Sequence, residues 1–319
     1  MPLFIFNSEE IRLPGEWKLR FTFQSKLAFM QIAKWTLWLL ILVLLGDRAI
    51  SLAFFKAVEA SEFRYSRMYR EEEDCELLFA GNSRGLMFYQ PYIEAATGAS
   101  TLNLSYNGMP MALADALIRD YLERHRPPKV LILDITLLDS RMDARLIPGF
   151  QCYRPASARL AALARDSFPL DFQVATAFHL YRYNSEVFQR ALFYLFKPDT
   201  DWLLDRVMAA SMVSDTASLP DFSIHFEERN LGQLAELAEH VRQAGVRVEL
   251  VVNPYFPAFA NKIVNLRDFI RLTEEATGLK VRDYSMAVQA VHGFGDYQHL
   301  NKQGARILVE QLVSDGLFE

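Results

Sequence analysis

Apolar residues fall along this chain in three regimes, and each predicts a different kind of element. The first is continuous. "LAFMQIAKWTLWLLILVLLG", residues 27–46, is an apolar run whose strongly polar members, Gln31 and Lys34, both lie in its first half. At a rise of about 1.5 Å per residue the run matches a hydrocarbon core of about 30 Å, which predicts one transmembrane helix. A helix in the core of a soluble domain would show a polar face, and "WLLILVLL" has none. A cleaved signal peptide fits less well, because the run starts late and no small-x-small site follows it. Arg12, Lys18, Arg20, Lys26 and Lys34 precede or open the span, against Arg48, Lys56 and Arg64 after it. That bias favours a cytoplasmic N-terminal segment, 1–26, with the rest of the chain across the membrane. Residues 47–74 alternate aromatic, basic and acidic side chains, and are expected to form a membrane-proximal stalk.

The second regime begins at Cys75, where short apolar runs alternate with helical spacing. "ELLFA", "STLNLS", "KVLILDI", "VRVELVVN" and, more weakly, "LKVRDY" read as five strands. "MALADALIRDYLERH", "NLGQLAELAEHVRQAG" and "NKQGARILVEQLVSDG" read as helices among them. The third regime interrupts this alternation. Over about 136–228 there is no strand-like run but several aromatic-rich helical stretches, which predicts a helical insertion. The fold class is therefore α/β: a doubly wound, parallel five-stranded sheet over 75–319, with a helical insertion and one N-terminal transmembrane helix.

Composition narrows the function. The chain has 319 residues, 51% hydrophobic and 23% charged, with a net charge of −5 and basic residues scattered along its length. No nucleic-acid surface is expected from that distribution. Two cysteines, Cys75 and Cys152, are too few for a disulfide framework or a zinc site, and read as buried thiols, a single bridge being the alternative. No cofactor is expected.

In parallel sheets, ligands gather beyond the carboxyl ends of the strands. Ser83, in "FAGNSRG", follows the first strand there and leads into helical spacing, so its N–H is expected at a helix N-terminus. A serine needs a base to become a nucleophile. Of six histidines, His299 has an acid, Asp296, three residues before it, in a loop that follows the fifth strand on the same rim. That spacing lets the carboxylate fix the imidazole tautomer and leaves the other nitrogen as general base. A metal site on His292, Asp296 and His299 and a plain helix cap at Asp296 are the competing readings. Arg84 reads either as a ligand for an acidic sugar or as a solvated side chain.

"FAGNSRG", "NLSYNG" and "DYQHLNKQGARIL" resemble the first, second and fifth sequence blocks of the SGNH (GDSL-type) hydrolase superfamily. The resemblance implies a flavodoxin-like sheet, a catalytic triad of Ser83, Asp296 and His299, and an oxyanion hole at Ser83 and Gly108, with Asn107 nearby. Two positions depart from the pattern. Asn82 replaces the usual Asp, and "LILDITLLD" lacks the third-block Asn that normally lends a donor to the oxyanion hole.

The anchor and the "GNSR" form resemble the branch tied to acylation of cell-surface polymers, similar to alginate O-acetyltransferase components and the lipoteichoic acid D-alanylation protein. That implies a membrane-anchored O-acyltransferase on the periplasmic side of a bacterial inner membrane. It would act on a polysaccharide through a Ser83 acyl-enzyme, beside a multispanning membrane O-acyltransferase. An esterase or deacetylase, and a non-catalytic component of an acylation complex, are the alternatives. The aromatics Tyr181, Tyr183, Phe188 and Phe193 are expected either as core or as the cover of a glycan groove.

Overall fold

The computed structural model describes residues 9–12, 18–21, 23–72, 74–142 and 144–319. Two short strands, β1 (Glu9–Arg12) and β2 (Lys18–Phe21), pair antiparallel ahead of everything else. The rest of the expected cytoplasmic segment before residue 23 lies outside the described residues.

The five expected strands are all present: β3 (Leu77–Ala80), β4 (Thr101–Asn103), β5 (Val130–Asp134), β6 (Arg247–Val252) and β7 (Val281–Asp283). Every residue of β3 and β5 is buried, which is why these runs are continuously apolar up to Asp134 rather than alternating. The edge strand β7 keeps partly exposed residues, and its sequence is correspondingly the least apolar. The sheet is parallel with order β4-β3-β5-β6-β7, so the chain reverses its winding direction at β3. With right-handed crossovers, that reversal sends the helices to opposite faces. Helices Met111–Arg124, Glu228–Gln243 and Leu266–Thr277 pack in one layer, and Gln90–Thr97 packs against Lys302–Ser314 in the other. The first shows how the pattern works. Leu113, Ala114, Leu117, Ile118 and Tyr121 are buried on one stripe, and Pro127 and Pro128 follow its end.

Between β5 and Glu228 the described residues contain no strand of the sheet; helices Ala158–Ser167, Pro169–Ala177 and Glu186–Phe193 dominate. Tyr183 and Phe188 pack with Phe54 in the core, whereas Phe193 is exposed beneath Lys197.

Among the described residues one helix, within Lys26–Glu59, is long and apolar enough to cross a membrane. Its helix runs unbroken over Phe23–Glu59, about 55 Å at 1.5 Å per residue. Trp35, Trp38, Leu39, Leu42 and neighbours on all sides are exposed, an arrangement that water disfavours.

The stalk expected over 47–74 takes a different form. Asp47 accepts N–H bonds from His179 and Leu180, both at 2.9 Å, and Val58, Phe63, Tyr65 and Met68 are core residues. Arg64 is buried against Asp199, and Tyr65 donates to the Leu104 carbonyl at 2.8 Å. The alternating charges and aromatics are thus not a solvated surface pattern. Asp47 and Arg64 have partners more than a hundred residues away, and Tyr65 has its partner on the β4 loop. Cys75 and Cys152 are buried thiols with no bridge between them, and Cys75 Sγ lies 3.1 Å from the Tyr121 hydroxyl.

Candidate active site

β3 ends at Ala80 and the chain turns through Gly81, Asn82, Ser83 and Arg84 into Gly85. The turn closes on itself: Asn82 Oδ1 accepts the Arg84 N–H at 2.9 Å, and the Asn82 carbonyl accepts the Gly85 N–H at 3.1 Å. It is also pressed against the β4 loop, where a Cβ at position 85 would overlap Ser105 Oγ. Glycine is required there for space. Only a 3-10 turn, Gly85–Met87, follows directly, and the α-helix starts later at Gln90. The expectation of an α-helix N-terminus at Ser83 is therefore corrected, and its N–H is a turn donor with no macrodipole behind it.

His299 Nε2 lies 2.8 Å from Ser83 Oγ, across 216 residues of sequence. Nδ1 of the same ring lies 2.8 and 3.0 Å from the two Asp296 oxygens. An ionised carboxylate can only accept, so Nδ1 carries the proton, Nε2 is the acceptor, and Ser83 donates to it. Asp296 also accepts the backbone N–H groups of Gln298 at 2.9 Å and His299 at 3.0 Å. Burial works to raise the Asp296 pKa, but the ring and these N–H donors outweigh it, and the carboxyl lies below its ordinary value. Asn301 caps the final helix through the Gln303 and Gly304 N–H groups, so the capping role weighed for Asp296 falls to Asn301. The two triad side chains of this loop stay partly open, at 30% exposed for His299 and 24% for Asp296. His292 stands apart from them, and among the described residues no group of three His, Cys, Asp or Glu is placed to hold a metal ion.

Ser83, Asn107, Gly108, Trp202, Leu204 and His299 line one cleft of about 390 Å³. Gly108 has φ +69°, the left-handed region that favours glycine, which turns the β4 loop along the cleft floor. Tyr106 N–H donates to the Gly81 carbonyl at 3.3 Å, fastening this loop to the serine turn. Neither the Ser83 nor the Gly108 N–H has an acceptor among the described residues.

Arg84 does not face the cleft as a sugar ligand would. It is 3% exposed, donates to the Gln298 carbonyl at 2.9 Å and to the Asn253 carbonyl, and lies over the Tyr255 ring at 3.4 Å. The guanidinium ties the serine turn to the histidine loop and to the end of β6.

Sequence reasoning missed Trp202. Its indole donates to the Leu86 carbonyl at 3.0 Å, Arg64 lies over its ring at 4.0 Å, and it lines both this cleft and an adjoining hollow of about 350 Å³. That hollow is lined by Arg64, Tyr106, Glu186, Arg190 and Tyr194, and a third, of about 360 Å³, continues past Tyr106 and Asn107 to Tyr181. The available signal was a lone tryptophan in "KPDTDWLLD", a polar stretch where helical periodicity gives no reason for one.

No protein-family model matches the chain, and no curated protein matches it. Among solved structures, it is similar to an acetyl xylan esterase at 8% identity and a TM-score of 0.37, covering 75% of this chain and 98% of that one. It is also similar to a GDSL-like lipase from Bacteroides thetaiotaomicron at 12% identity and a TM-score of 0.36, covering 81% of this chain and 98% of the other. Likenesses at this level say nothing about the site, whose chemistry rests on its own geometry.

Proposed function

We propose that this protein is a membrane-anchored O-acyltransferase that moves an acyl group, an acetyl group in the simplest case, onto a polysaccharide hydroxyl through Ser83. The observation that carries the chemistry is the hydrogen-bonded chain from Ser83 Oγ through His299 to Asp296. Ser83 Oγ attacks the acyl carbonyl and its proton passes to His299 Nε2, while Asp296 stabilises the imidazolium. The oxyanion is met by the N–H groups of Ser83 and Gly108, with the Asn107 side chain beside them. Each well-placed donor of this kind contributes roughly a hundredfold or more in rate. Collapse expels the donor alcohol, which takes the proton from His299, and the acyl group stays on Ser83. A sugar hydroxyl then gives its proton to His299 as it attacks the acyl-serine, and His299 passes that proton to the departing Ser83 Oγ, releasing the new ester and restoring the hydroxyl.

The hollows that continue from the cleft, with Trp202, Tyr106 and Tyr194 among polar side chains, suit a chain of sugars better than a single small ester. The exposed apolar helix supports a membrane anchor; in this proposal the anchor lies in the bacterial inner membrane, with the site on the periplasmic side and a multispanning membrane acyltransferase as the source of the donor. The openness of His299 and Asp296 to water favours a second reading, an esterase that releases the acyl group by hydrolysis.

The full chain, incubated with p-nitrophenyl acetate, is expected to carry acetyl on Ser83 by peptide mass spectrometry and to pass it to an added oligosaccharide. Rapid release to water that no acceptor diverts would replace the transferase by the esterase. Acetylation surviving in Ser83→Ala would remove the acyl-enzyme altogether.

A further inference from the structure

Between Lys34 and Asp47 the chain carries no charge, so Asp47 and Arg48 mark where the apolar helix meets water. Asp47 is 5% exposed, bonded to the N–H groups of His179 and Leu180 and to the guanidinium of Arg48. Arg48 also donates to the Ala177 carbonyl at 3.1 Å. These bonds hold the turn at 177–180 level with the end of the apolar run.

Two further guanidiniums converge on the same turn. Arg154 donates to Thr176 Oγ1 at 2.9 Å and lies 3.8 Å over the Phe172 ring. Arg182 donates through Nε to the Ala175 carbonyl at 2.9 Å. Three cations thus gather at this turn, against Asp47, already committed to Arg48 and two N–H donors, and Asp171, which accepts from the Tyr181 hydroxyl at 2.8 Å. The crowding is felt locally: burial first, then Arg182 and Arg48, lower the His179 pKa, and burial followed by Arg154 lowers that of Arg182. Phe178, at the tip of the turn, is 51% exposed. A cluster with more cations than carboxylates beside an outward phenylalanine, at the end of the apolar run, is the pattern of an interfacial lipid contact.

We infer that Arg48, Arg154 and Arg182 form a site for the headgroup of an anionic phospholipid, with Phe178 seated at the border of the acyl chains. The inference rests on the helix being a membrane span, and the test separates the two. The full chain is placed in nanodiscs of equal phosphatidylglycerol and phosphatidylcholine, released into mild detergent, and its retained lipid is counted by native mass spectrometry. Wild-type protein is expected to keep phosphatidylglycerol in preference. Arg154→Gln with Arg182→Gln is expected to lose that preference, by about fivefold for each arginine. Arg271→Gln, on the distant helix Leu266–Thr277, is expected to keep it. Because the double variant could fail to fold, wild-type protein is also measured at high salt, where the preference is expected to fall. Equal retention of both lipids by wild type, a preference insensitive to salt, or an unchanged preference in a folded double variant each overturns the site. Extraction of the wild-type chain from membranes by alkaline carbonate would instead overturn the span.

Discussion

The pair formed by Arg64 and Asp199 sets a measurable condition on the fold and the cleft together. Their side chains are 5% and 2% exposed, and Asp199 accepts from Arg64 Nε at 2.7 Å, Nη2 at 3.0 Å and backbone N at 3.1 Å. Arg64→Ala removes two of those three donors and leaves a carboxylate that water cannot reach. Breaking a buried pair in this way costs about 3–5 kcal/mol, because the remaining charge is uncompensated. Replacing both partners by apolar side chains, Arg64→Met with Asp199→Leu, removes the charge with the pairing, and is expected to cost about 1 kcal/mol or less. Urea unfolding of the full chain in mild detergent measures both. Trp202 is the natural probe, since the other three tryptophans, Trp17, Trp35 and Trp38, lie in the N-terminal region and Arg64 stacks on Trp202 itself. A loss below about 1 kcal/mol for Arg64→Ala, or a double variant as unstable as the single, would refute the claim that these charges are desolvated and coupled.

Three further outcomes follow from the site. Asp296→Asn should lower the single-turnover acylation rate of Ser83 by about 10⁴, through the wrong imidazole tautomer, and an unchanged rate would remove Asp296 from the triad. Arg84→Lys keeps a charge but cannot reach both carbonyls or stack as a plane on Tyr255; kcat is expected to fall about tenfold with KM little changed, and a rise in KM alone would point to substrate contact instead. The Asp296 pKa is lowered in the folded chain, so its stabilising contribution is full above the unfolded carboxyl value of about 3.9 and fades as pH falls through the folded value. The difference in thermal midpoint between wild type and Asp296→Asn should therefore shrink below about pH 4, and a gap that widened in acid would contradict the direction.

The strands and the pairing of Asp296 with His299 were legible because each carries a local signal. A strand buried on both faces must be apolar, and a carboxylate three residues before a histidine in a tight loop can reach its ring. Arg84 and Arg64 were not legible, because what they do depends on partners at Gln298, Asn253 and Asp199 that only the fold assembles. An arginine that opens a turn has the same sequence neighbours whether water or two carbonyls receive its protons. The segment after the apolar helix misled for the same reason: alternating aromatic and charged residues describe a solvated helix and a polar-stapled core equally well. The pair β1 and β2 carries too few residues for periodicity to mark it.

The helix Phe23–Glu59 has no break where its apolar part ends, and the clamp at Asp47 sits on it. A catalyst on a flexible tether would sweep a wide volume and could chase its acceptor. With this helix as the proposed anchor, the site would stand on a stiff mast, its mouth held at one height and facing one way. Under the proposed function, an acceptor polymer would have to be brought past it, residue by residue, and the pattern of modified sugars would record how that chain is fed.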